Sequence, residues 1–160
     1  MPRTDRAARL IAAPPTDVYT ALVDRDALEA WLPPDGMRGR IEHWDPRPGG
    51  GFRMTLTYLD PAHSPGKSSA GTDVVDVRLT ALVPPERVVQ QAEFTSDDPA
   101  YAGTMTMTWQ LTATFGGTEV TVTATGVPPG ISQADHETGI ASSLANLAAH
   151  VETRAPREAD

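Results

Sequence analysis

Between residues 50 and 126 apolar and polar side chains alternate in several separate runs. Phe52, Met54, Leu56 and Tyr58 alternate with Arg53, Thr55 and Thr57. Met105, Met107, Trp109, Leu111, Ala113 and Phe115 alternate with threonines and Gln110, and Val120, Val122 and Ala124 alternate with Thr121, Thr123 and Thr125. Side chains at a period of two point to opposite faces, so each run predicts a strand of an antiparallel sheet covered on one side. Phe115-Gly116-Gly117-Thr118 between the last two runs predicts a tight hairpin. Val75, Val77 and Leu79 predict another strand, ended by Pro84-Pro85. Residues 6–12, 41–45 and 88–95 predict three more. The register of the last two stays open, since Val88/Ala92/Phe94 and Val89/Gln91/Glu93 are both acceptable inward sets.

The period lengthens at both ends of this region. Ala13-Pro14-Pro15 interrupts the extended chain, and proline is tolerated in a first helical turn, where its missing N–H would have no partner. Val18 and Leu22 lie one turn apart. Leu28, Trp31 and Leu32 form a second short stripe after Asp24-Arg25-Asp26, and Pro33-Pro34-Asp35-Gly36 ends it. Beyond Pro128-Pro129-Gly130, the capping-box-like Ser132-Gln133-Ala134-Asp135 precedes Ile140, Leu144, Leu147 and Val151 on one face. This predicts a long helix over 132–154. A one-sided sheet must bury its apolar face, and this helix alone has the length to cover it. The expectation is an α+β fold of about seven strands in one domain over 6–154, with polar tails at 1–5 and 155–160.

Charge and composition remove several function classes. With 13 basic and 21 acidic residues the net charge is −8, the wrong sign for neutralising phosphates of nucleic acid or an anionic membrane. There is no cysteine, so disulfides, thiolate metal sites and Cys nucleophiles are excluded. Arg3, Asp5, Arg6 and Arg9 interrupt the first ten residues, which therefore lack the apolar core of a signal peptide. No run approaches the ~18 apolar residues of a membrane span, and cytoplasm is the default expectation.

Sequence motifs for chemistry are few. Gly66-Lys67-Ser68 would complete a phosphate-binding loop only with Gly at 61, where Pro61 stands, so residues 60–71 read as a hairpin loop near a cavity rim. His136-Glu137 begins a zinc-protease pattern, but Ile140 stands where the second His belongs. His136 is placed in the first turn of the last helix, exposed or near a cavity mouth. No Gly-x-Ser-x-Gly elbow occurs. No metal or cofactor is expected. His43, expected to share a face with Ile41, and Tyr58 are the candidates for acid–base work. Arg47, Arg53 and Arg87 read as solvated or salt-bridged.

Six segments together resemble a known architecture. They are Ala13-Pro14-Pro15 with Val18 and Leu22; Leu28 with Trp31; Asp45-Pro46-Arg47-Pro48-Gly49-Gly50 before Phe52-Arg53; Pro84-Pro85-Glu86-Arg87-Val88; Gly117-Thr118-Glu119-Val120-Thr121-Val122; and Gly139 with Leu144, Leu147 and Val151-Glu152. In this order they resemble the helix-grip fold of the START/SRPBCC superfamily. Within it they are similar to the branch named after the Hsp-90 ATPase activator homologues, also called polyketide-cyclase-like. Leu32 and Ile140 depart from the pattern, standing where relatives often carry an aromatic residue and a Trp.

The resemblance implies a curved antiparallel sheet wrapping the C-terminal helix. Between them it implies a cavity bordered by Trp31, Phe52, Met54, Tyr58, Met107, Trp109, Ile140 and Leu144 that binds a hydrophobic, aromatic or lipid-like small molecule. Two alternatives remain. One is a cyclase- or lyase-type enzyme using the same cavity, with His43 or Tyr58 as acid–base. The other is an Hsp-90-directed interaction protein, against which stands the further N-terminal domain of the eukaryotic activators. A protein partner or homodimer is left open.

Overall fold

Alternation becomes a single sheet because every run finds a neighbour in register. In the computed structural model, seven antiparallel strands lie in the order β1-β7-β6-β5-β4-β3-β2. They are β1 (Thr4–Ile11), β2 (Met37–Asp45), β3 (Gly51–Tyr58), β4 (Thr72–Val83), β5 (Arg87–Phe94), β6 (Met105–Thr114) and β7 (Gly117–Thr125). β2 to β7 pair in sequence order as a meander, and β1 closes the far edge against β7. The connection from β1 to β2 therefore crosses from one edge to the other, and it carries two short helices, α1 (Pro15–Leu22) and α2 (Arg25–Trp31). The long helix α3 (Gln133–Glu158) follows β7. The structure describes residues 3–33, 36–59, 72–96 and 98–158; the expected loop at 60–71, Pro34 and Asp35, and the outermost tail residues lie outside them.

Local chemistry fixes the helix starts. Pro15 opens α1, and Asp24 caps α2 by accepting hydrogen bonds from the backbone N–H groups of Asp26 at 3.0 Å and Ala27 at 3.5 Å. The Ser132 hydroxyl accepts from the Asp135 N–H at 3.1 Å ahead of α3. At the β6–β7 hairpin Gly117 has φ +140°, and a Cβ there would stand 2.1 Å from the Ile11 carbonyl oxygen, so only glycine fits. α3 runs past its expected end at Arg154, and Thr4 and Asp5, expected in the N-terminal tail, belong to β1.

The inner face of the sheet carries Met105, Trp109 and Leu111 from β6 and Val120, Val122 and Ala124 from β7, all buried. β5 takes the register that buries Val88, Gln90 and Ala92 and leaves Glu93 outside. Behind Trp109 the Trp31 ring packs edge-on at 5.4 Å and 76°, and its indole N–H donates to the Ala21 carbonyl at 2.9 Å. Ile140, Leu144, Leu147, Ala148 and Val151 are the buried stripe of α3. The helix lies closest to β1, α1 and α2. Over the strands from β3 to β6 it stands further off.

Leu144 is only 1% exposed inside the main core. Leu144→Ala is expected to lower the unfolding free energy by about 2–5 kcal/mol, a large part of the roughly 5–15 kcal/mol of a domain. Leu144→Asp should abolish cooperative thermal unfolding, since an unpaired charge would be buried. Circular dichroism melting checks both, and a cooperative melt of the Asp variant would show that α3 does not close the sheet.

Candidate functional site

Where helix and sheet stand apart they enclose a cavity of about 470 Å³. The period-two faces supply one wall and the N-terminal half of α3 the other. Four of the five methionines line it: Met37 from β2, Met54 from β3, and Met105 and Met107 from β6. The unbranched, polarisable thioether adapts to guests of irregular shape. Phe52, Tyr58, Phe94, Tyr101 and Trp109 add aromatic surface. From α3 come Gly139, Ile140 and Ser143. The Ser143 hydroxyl donates to the Leu32 carbonyl at 2.6 Å, which ties the helix to the end of α2.

Of the eight residues named from sequence, the structure brings Phe52, Met54, Tyr58, Met107, Trp109 and Ile140 together on this wall. Trp31 and Leu144 lie deeper, in the closed core. Trp31 is screened by Trp109, against which it packs, and Leu144 sits one turn beyond Ile140, where α3 has already met the core.

Two polar groups sit among the apolar ones. Gln90, 6% exposed, accepts a hydrogen bond from the Trp109 indole N–H through Oε1 at 3.0 Å. An indole N–H can only donate, so the amide oxygen must face it and the Gln90 NH₂ must turn away. That NH₂ has no partner among the described residues, and Gln90 lines the cavity. The Tyr58 hydroxyl donates to Asp73 Oδ2 at 3.2 Å. The inward place of Gln90 followed from a register that the sequence pattern left open.

A third polar group borders the cavity at the start of α3. Asp5, fully buried on the inner face of β1, receives two N–H groups of Arg3 at 2.7 and 2.8 Å and stands 2.7 Å from His136 Nδ1. Arg3 also donates to the Ile131 carbonyl at 2.8 Å. Burial pushes the Asp5 carboxyl up, but the hydrogen bonds from Arg3 and His136, with the charge of Arg3, outweigh it and hold the group below its ordinary range. His136, Asp135 and Ser132 line the cavity. From sequence His136 is expected to be exposed or near a cavity mouth; its partner, 131 residues away, was not foreseen. The available signal was an aspartate on the apolar face of β1, in step with Ala7 and Ile11.

His43 lies elsewhere. The β2–β3 pairing shifts register between Glu42 and Asp45, and His43 adopts φ +58° there. The bulge turns it off the face of Ile41, leaving it exposed in a second, polar groove of about 590 Å³ with Asp45, Arg53, Asp76 and Arg78. Arg53 forms a bidentate pair with Asp76 at 2.7 and 3.0 Å, and Arg47 pairs with Asp45 at 2.9 Å. Arg87 is exposed. Among the described residues no three His, Asp or Glu side chains converge as metal ligands, and no helix is long and apolar enough to cross a membrane.

The depressed pKa of Asp5 sets an expectation. A carboxyl whose folded pKa is lowered contributes stability in full above its unfolded value, about 3.9, and loses it as pH falls through the folded value. The melting temperature of the native chain should therefore fall steeply below about pH 4. Asp5→Asn should melt lower at neutral pH and show a shallower acid decline. Superimposable profiles of the two proteins would remove Asp5 from the balance.

The model for the family described as activator of Hsp90 ATPase homolog 1-like protein matches residues 12–152. No curated protein is matched. Among solved structures, a protein from Chromobacterium violaceum is 32% identical, with a TM-score of 0.81 over 93% of this chain and 96% of that one. A protein from Rhodobacter sphaeroides, 21% identical, superposes with a TM-score of 0.76 over 94% and 92%. A protein in the dynemicin biosynthetic locus, also 21% identical, gives 0.67 over 96% of this chain and 48% of that one. The last two share the fold. With the matched span running from ahead of α1 into α3, the chain belongs to the family of activator of Hsp90 ATPase homolog 1-like proteins, with their helix-grip architecture.

Proposed function

We propose that this protein binds a mostly apolar small molecule, aromatic or lipid-like, in the cavity between sheet and α3. The observation that carries the reading is the 470 Å³ space itself, walled by four methionines and five aromatic rings and interrupted by few polar groups. Volume in this range suits a drug-sized or smaller ligand, and apolar walls with sparse polar groups are the usual make-up of such sites. The contacting residues are Phe52, Met54, Tyr58, Met107, Trp109 and Ile140, with Gln90 offering a donor from its NH₂. The domain assigned to this task spans residues 6–154 together with the two β1 residues before them.

A ligand present at ~100 times its dissociation constant and binding only the folded state adds about 2.7 kcal/mol, which raises the melting temperature of a domain this size by roughly 5–10 °C. A thermal-shift screen of fatty acids and polycyclic aromatics should find such compounds. Gly139 supplies the specific control. It lines the cavity, and a Cβ there would meet nothing within 4 Å. Gly139→Ala should stabilise the protein by about 0.4–1 kcal/mol by reducing unfolded-chain freedom in a helix. Gly139→Leu should fold but bind at least tenfold more weakly, because its side chain occupies the ligand's space. A screen without any shift, or full binding by the Leu variant, would remove the cavity as the site.

A further inference from the structure

Asp5 is satisfied twice over. The paired N–H groups of Arg3 already neutralise it, at 2.7 and 2.8 Å, yet His136 Nδ1 also approaches to 2.7 Å. The consequence of that third contact falls on the imidazole. An ionised carboxylate accepts and never donates, so Nδ1 must carry the hydrogen. In the neutral ring Nε2 is then the atom with the lone pair. Nε2 makes no hydrogen bond to any described residue, although His136 lines the cavity and its side chain is only 14% exposed.

The ring is also held from behind. The His136 backbone N–H donates to the Ser132 carbonyl at 2.9 Å, and the neighbouring Glu137 accepts the Arg6 N–H of β1 at 2.8 Å. Orientation, tautomer and place are thus fixed before any ligand arrives. Arg3 and Asp5 stand upstream of the residues that the family model matches, 12–152, while His136 stands within them.

We propose that His136, oriented by Asp5, is the polar anchor of the cavity, its Nε2 accepting a hydrogen bond from a phenolic hydroxyl on an otherwise apolar ligand. This deepens the binding reading above and rests on it. An acceptor nitrogen calls for a ligand that donates. The Asp135 carboxylate shares this end of the cavity and opposes an anionic head, which selects a neutral hydroxyl over a carboxylate. The methionine and aromatic walls select an aromatic ring to carry it. Gln90, whose NH₂ has no partner among the described residues, offers the complementary donor elsewhere on the wall, suited to a carbonyl of the same molecule.

The test compares 2-naphthol with 2-methoxynaphthalene, which has a similar shape but no hydroxyl proton, in mildly alkaline buffer. Fluorescence titration of the native protein should show 2-naphthol binding at least fivefold more tightly. His136→Phe keeps an aromatic ring without an acceptor and should bring the two affinities together, largely by weakening 2-naphthol. Nitrogen NMR of the imidazole reports on the native protein without any substitution. It should show the Nδ1–H tautomer in the free state and a shift of the Nε2 resonance with 2-naphthol but not with the ether. Equal affinities of the two compounds for native protein, or an unmoved Nε2 resonance in the 2-naphthol complex, would overturn the anchor and leave the cavity reading standing. Failure of both compounds to bind, together with a thermal-shift screen that finds nothing, would overturn both.

Discussion

An edge strand exposes backbone N–H and C=O groups that no neighbouring strand satisfies, and in this protein side chains of the long helix take up some of those along β1 and just beyond it. Glu137 accepts the Arg6 N–H of β1 at 2.8 Å, Glu152 accepts the Ala12 N–H at 2.9 Å, and Gln133 donates to the Thr4 carbonyl at 3.2 Å. These contacts bracket α3 from its first turn to its sixth, so the helix is fastened along the β1 edge. They also blunt that edge against pairing with another chain. With the helix held at one side of a broad sheet, its apolar stripe meets β1, α1 and α2 directly, and the interior opens over the strands beyond. The cavity is thus a geometric result of where the helix is tied.

Within that opening, polar placement descends from packing. Trp31 fixes the edge of Trp109, Trp109 fixes the oxygen of Gln90, and the remaining amide hydrogens of Gln90 are left for the cavity. At the other end Arg3 fixes Asp5 and Asp5 fixes His136. The first chain of contacts begins in the closed core and the second at the partly exposed Arg3, and both end on the wall. Side chains held this way lose little freedom on meeting a ligand, which is how a site with few polar groups can still impose orientation.

Strands and the helix stripe were legible because periodicity is a local property. Periodicity told which side chains share a face, and the resemblance to the helix-grip fold implied that those faces border a cavity; six of the eight residues so named line it. Depth was not legible: Trp31 and Leu144 occupy the right faces, but nothing in a period tells which turn of a helix borders a void and which borders packed core. The displacement of His43 is a single-residue event, a bulge opposite Phe52, that alternation of Ile41 with its neighbours could not reveal. β5 was ambiguous because a polar residue, Gln90, points inward, and its compensation by Trp109 lies 19 residues away. The Asp5–His136 contact spans 131 residues and depends on β1 pairing with β7 beneath the start of α3.

Fold and cavity place opposite demands on the same interior. Around Trp31, Trp109, Leu144 and Leu147 the packing is closed, and this half supplies the buried surface that holds the chain together. Over β3 to β6 the walls face open space, and wall atoms without neighbours forgo dispersion contacts that a filled core would make. One sequence feature keeps that space from closing: Gly139 leaves the first turns of α3 without a side chain there. A cavity preserved at a cost in packing would gain stability from a guest of matching shape that restored the missing contacts. Ligand binding and resistance to unfolding are then two readings of the same free energy.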